Sequence, residues 1–194
     1  MKKRFYNQSF EKLKSAIINI DKNEIKNIYA LSFWFYNEDD ELHFPTIILS
    51  YNTESNFQRN IENASDENEA KWNFAYWLQN DIEQIGGEDD KSLRKWFKES
   101  KYYYSEEENE LVEDDDELFD KLCVKGEKFN NQFIELIVQI SLALHNNGII
   151  KEVFGKSIPI IIHELEYYDK PVNWTKKGNP TGIVNQFIDW VENM

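Results

Sequence analysis

His43, His145, His163 and Cys123 are the side chains of this 194-residue chain best suited to act as bases, ligands or nucleophiles near neutral pH. His163 opens the run His163-Glu164-Leu165-Glu166. That run resembles the first half of the H-E-x-x-H zinc pattern, but the second histidine is missing. The surrounding residues 157–168, SIPIIIHELEYY, read as an isoleucine-rich strand. On a strand Glu164 and Glu166 share one face and His163 takes the other, so the segment does not gather three ligands. A hydrolase with a dispersed site around His163, Glu164 and Glu166 is the enzymatic alternative, because these polar groups interrupt an apolar strand. Cys123 has no second cysteine for a disulfide, a redox pair or a zinc pair. There is no G-x-S-x-G elbow, no P-loop and no dinucleotide glycine pattern. No catalytic residue, cofactor or metal is assigned on these residues.

The strongest charge feature is residues 106–117, EEENELVEDDDE. Its nine acids, Glu106, Glu107, Glu108, Glu110, Glu113, Asp114, Asp115, Asp116 and Glu117, stand without a base and carry most of the net charge of −14. The run lacks the glycine-centred ligand order of a calcium loop. It reads as a solvated, flexible loop, an acidic insertion over about 105–117. An acidic chain is repelled by nucleic acid and by anionic membranes, whereas a basic protein is electrostatically allowed. The run is therefore the candidate partner-binding surface, and a basic protein the candidate partner. A single cysteine fits a reducing compartment, and the polar residues of MKKRFYNQSFEKLKSAIINI interrupt any signal-peptide core. The expectation is a cytoplasmic protein.

The second dense feature is AKWNFAYWLQND, residues 70–81. With Asn73 as N-cap, Trp72 and Trp77 would close a hydrophobic staple at the start of a helix. Trp72, Asn73 and Trp77 are thus expected to be structural anchors, against the alternative of an exposed recognition patch.

Several elements must position these groups. Phe10, Leu13, Ile17 and Ile20 give a helix over 8–20, capped by Asn7 or Ser9. IYALSFWFY (28–36) and HFPTIILSY (43–51) read as an antiparallel hairpin, the first strand covered on both faces. A helix capped by Asn52 or Thr53 follows, and Gly86-Gly87 closes the helical region after Trp77. Residues 90–104 suggest a helix burying Leu93, Trp96 and Phe97. Residues 127–147 carry Phe129, Phe133, Leu136, Ile137, Ile140 and Leu144 at helical spacing, stopped by Asn147-Gly148. DKPVNWTKKGNP reads as a loop and TGIVNQFIDWVENM as a last helix. The fold class is α+β: one domain over 1–194, with a small antiparallel or mixed sheet packed by several helices.

Ile28-Tyr29-Ala30-Leu31, Asn52-Thr53-Glu54, the W-x(4)-W pair Trp72 and Trp77, Asn147-Gly148 before Phe154-Gly155, and Asn179-Pro180 before Phe187 follow one another in an order that resembles the bacterial DUF4303 family. The resemblance runs from about Ile25 to Phe187. In that family the first tryptophan is often followed by serine and proline, where this chain has Asn73 and Phe74. The resemblance implies no reaction and no cofactor. Small α+β chains of this kind are similar to immunity proteins of polymorphic toxin systems, the SUKH group included. The implied function is a non-enzymatic protein-binding module such as a toxin-neutralising immunity protein, with a regulatory adaptor as a further alternative.

Overall fold

Alternating apolar side chains on two chain segments, joined by a polar turn, dictate the centre of the molecule. The computed structural model describes residues 1–194, except for the side chains of residues 113 and 114. The elements in order are α1 (Lys2–Ile18), α2 (Lys22–Ile25), β1 (Ile28–Asn37), β2 (Pro45–Thr53), α3 (Glu54–Asn60), α4 (Glu67–Trp72), β3 (Glu83–Gly86), α5 (Lys91–Glu99), α6 (Glu106–Glu110), α7 (Asp116–Asn146), α8 (Ile149–Phe154), β4 (Ile160–His163), α9 (Asp169–Gly178) and α10 (Asn185–Glu192). The strands form one mixed sheet in the order β3-β2-β1-β4. β1 pairs antiparallel with β2 and parallel with β4, and β2 pairs antiparallel with β3. The chain is a single α+β domain.

One sheet face presents Leu31, Phe33, Phe35, Ile47, Leu49, Ile85, Ile160 and Ile162 to α1, α5, α7 and α8. α7 fills it with Phe129, Phe133, Leu136, Ile137, Ile140 and Leu144, all buried. Gly126 lies where α7 meets Leu42: a Cβ there would come within 2.5 Å of Leu42 Cβ. The other face carries Ala30 and Ile161 against Phe57, Trp72, Phe74, Trp77, Phe187 and Trp190. The strand period of two also places Ser32, Ser50, Asn52 and His163 on this face, all buried.

β4 is an edge strand, and unpaired edge amides must find partners when buried. Two side chains associated with α9 supply them. The Asn179 amide accepts from Ile160 N–H (2.9 Å) and donates to Ile160 C=O (2.7 Å). The Thr175 hydroxyl accepts from Ile162 N–H (2.9 Å) and donates to Ile162 C=O (3.0 Å). A loop was expected here, but Asp169 in the first turn and Lys176 and Lys177 in the last suit a helix dipole, and α9 forms.

Other boundaries also move. α1 begins at Lys2, so Asn7 and Ser9 lie inside it rather than capping it. Thr53 caps α3 by accepting from Asn56 N–H. The helix expected after Asn73 does not form. Asn73 ends α4 and caps a single 3₁₀ turn, Phe74–Tyr76, and Gly86 closes β3 rather than a helix, at φ +85°.

Candidate functional site

The acidic run is built into helix termini. Ser105 caps α6 in a reciprocal box: its hydroxyl accepts from Glu108 N–H (3.1 Å), and the Glu108 carboxylate accepts from Ser105 N–H (3.0 Å). Glu106, Glu107 and Glu108 occupy the first turn of α6, and Asp116 and Glu117 the first turn of α7. Asp115 caps α7 by accepting from Leu118 N–H (3.0 Å). Carboxylates at these termini face the positive ends of helix dipoles, which is why so acidic a stretch adopts helix. The reading of these residues as a loop is corrected accordingly. Glu106, Glu107, Glu108, Glu110, Asp115, Asp116 and Glu117 remain solvent-facing or nearly so. Glu113 and Asp114 lie outside the described side chains.

Large apolar side chains stand among these acids. Leu111 is 63% exposed, Phe119 50% and Val124 48%. Val112, beside Leu111, turns inward onto the core. Phe119 is in helical phase with Leu122, Gly126, Phe129 and Phe133, so it extends the buried stripe of α7 beyond the body that covers it. Exposed apolar groups in a charged face are candidates for an interaction surface where they adjoin, and Leu111 and Phe119 are the two nearest the acids in sequence.

The tryptophan anchors lie on the opposite side of the sheet. Trp72 and Trp77 are buried and meet Tyr29 edge-on, with ring centroids 5.8 and 5.9 Å away. Trp77 is not the fourth residue of a helix, so the staple is replaced by a different clamp. Its indole donates to Lys71 C=O (2.9 Å), and the Tyr29 hydroxyl donates to the same carbonyl. Asn73 accepts from Ala75 N–H (3.0 Å). Asn52 donates to Tyr29 (2.9 Å) and accepts from Asn56 (2.9 Å), tying β1, β2 and α3 together.

His163 is the last residue of β4, not the middle of a longer strand. It is 1% exposed. Its Nδ1–H donates to Glu164 C=O (2.6 Å), which fixes the tautomer and leaves Nε2 to accept from the Ser32 hydroxyl (2.7 Å). Phe74 covers the ring at 4.7 Å. Burial pushes the imidazole pKa down to about 4, against the opposing pull of the Glu164 carbonyl. The strand ends before Glu164 and Glu166, so the two do not share a strand face. Glu166 is exposed, and the Glu164 carboxylate accepts from the Tyr168 hydroxyl. The structure brings His163 to Ser32 rather than to either carboxylate. A Ser–His pair is a nucleophile–base arrangement, but this one is sealed from solvent on both members.

Sequence reasoning overlooked a cleft of about 540 Å³ beside α5, lined by His43, Phe44, Phe97, Tyr103 and Tyr104, by Arg94, Lys95 and Lys98, and by Glu106 and Glu107. His43 packs between Phe44 (3.9 Å) and Phe97 (5.4 Å), and its Nδ1 lies 3.2 Å from the Tyr104 hydroxyl and 3.3 Å from Glu41. Burial lowers the His43 pKa, Glu41 opposing. The available signal was Arg94, Lys95 and Lys98 at helical spacing, opposite the buried Leu93, Trp96 and Phe97. Among the described residues, no group of three or more His, Cys, Asp and Glu is arranged to hold a metal, and no helix is long and apolar enough to cross a membrane. No protein-family model, curated protein or solved structure matches the chain.

Proposed function

We propose that this chain is a cytoplasmic protein-binding module, most concretely an immunity-type protein that neutralises a basic toxin domain. The observation that carries this reading is the face made by α6 and the start of α7. Carboxylates of the helix starts there flank Leu111 and Phe119 in sequence, and these two are 63% and 50% exposed. Carboxylates steer a basic partner and select against acidic ones, while an exposed aromatic supplies the apolar contact that holds it. The DUF4303-like order of motifs supports the same reading. The enzymatic alternative has less support, because His163 and Ser32 are sealed in the core.

The test is affinity capture of the tagged chain from lysate of its own cells, at low and high salt. It runs beside a variant in which the acids of residues 106–117 are replaced by their amides. The reading expects a stoichiometric basic protein that is lost with salt and with the amide variant. Capture indifferent to both would remove the electrostatic interface.

A further inference from the structure

We propose that the cleft beside α5 binds a free mononucleotide. Three kinds of lining group meet there, and a nucleoside monophosphate presents a match to each. Arg94, Lys95 and Lys98 occupy one exposed face of α5. Among the described residues none of the three has a carboxylate within ion-pair distance, although the chain carries a net charge of −14. Arg94 and Lys98 stand four apart, where side chains on a helix are neighbours, so both can reach one phosphate. A guanidinium adds paired N–H donors that suit phosphate oxygens.

Aromatic rings form the apolar part. Phe97 is buried beneath Tyr103 (5.5 Å) and Tyr104 (5.1 Å), and Tyr103 keeps 39% of its surface exposed. Phe44 is partly exposed and lies against His43, its ring tilted by 48° to the imidazole. Such faces stack on any base, which accounts for an apolar lining in a strongly charged neighbourhood. Glu106 and Glu107 complete the lining. Carboxylates repel a second acid but accept from ribose hydroxyls and exocyclic amines. They therefore suit the sugar and base of a nucleotide, while Arg94, Lys95 and Lys98 meet its phosphate. The volume lies within the roughly 300–1,000 Å³ common for small-molecule sites. The acidic body around the cleft disfavours a longer strand, whose additional phosphates would meet that body.

The experiment titrates the intact protein calorimetrically with AMP, GMP, CMP and UMP separately. Adenosine, inorganic phosphate and a 5′-phosphorylated tetranucleotide serve as comparison ligands. At least one monophosphate should bind at one per chain with a Kd below about 1 mM. Its nucleoside, phosphate alone and the tetranucleotide should each bind about tenfold more weakly or worse. Arg94→Ala/Lys98→Ala should lose about tenfold or more in affinity at an unchanged melting temperature, since both side chains are exposed and, among the described residues, make no ion pair. No saturation by any monophosphate overturns the proposal. So does tighter binding of the tetranucleotide, or binding unaffected by the double substitution. Arg94 and Lys98 are not members of the acidic run, so these outcomes leave the protein-binding reading standing or falling on its own test.

Discussion

A neutral imidazole in the core makes His163 a stability determinant with a definite pH signature. Its folded pKa, about 4, lies below the unfolded value of 6.5, so between those values the unfolded chain binds a proton that the folded chain refuses. The stability associated with His163 is present above pH 6.5 and is lost as pH falls toward 4. The shift corresponds to about 3 kcal/mol across that window. His43 and His145 are lowered by burial too and add slope of the same sign. His163→Gln should therefore flatten, without abolishing, the fall in urea midpoint between pH 6.5 and 4. An unchanged slope would mean that the imidazole is not held neutral in the fold. The sequence placed His163 in an apolar strand, but its partner Ser32 is 131 residues away, and no local pattern pairs them.

At the scale of elements, two contacts decide where secondary structure can sit. Thr175 is the sole described side chain that bonds the outer N–H and C=O of Ile162. Thr175→Val keeps the shape but strands both groups in the core, at about 1–3 kcal/mol for each group left unpaired. Thr175→Ser keeps the hydroxyl and should lose far less; equal losses in chemical denaturation would contradict this edge role. Gly126 sets how closely α7 approaches the β1–β2 turn. Alanine would favour the helix by about 1 kcal/mol. Overpacking against Leu42, whose Cβ cannot swing aside, costs about 1–3 kcal/mol and should prevail. Gly126→Ala should lower the melting temperature, and a raised one would contradict the packing. The long helix and the hairpin were legible because their periodicity is strong. β3 was not: four residues, Glu83–Gly86, are a strand because β2 offers an edge, not because of their own pattern. α9 was hidden behind Pro171, which falls in its first turn, where proline costs no intrahelical hydrogen bond.

For the whole molecule, charge is segregated. Acids gather at the starts of α6 and α7, while α5 turns a cationic face to the neighbouring cleft. The composition showed the acidic excess, and the run marked its place. That these acids cap helices and frame Phe119 depended on where α7 begins, eleven residues before the apolar periodicity suggested. Exposure of Phe119 could not be read from sequence, since it continues the same stripe as the buried Leu122 and Phe129. The central claim is that this face holds a basic protein. The most direct measurement is the affinity of the captured partner for Phe119→Ser against the unaltered chain, at fixed salt. With stability unchanged, as half-exposure of Phe119 allows, the account predicts a loss of about 1 kcal/mol or more, mainly in dissociation rate. Equal affinities and equal dissociation rates for the two chains would contradict it.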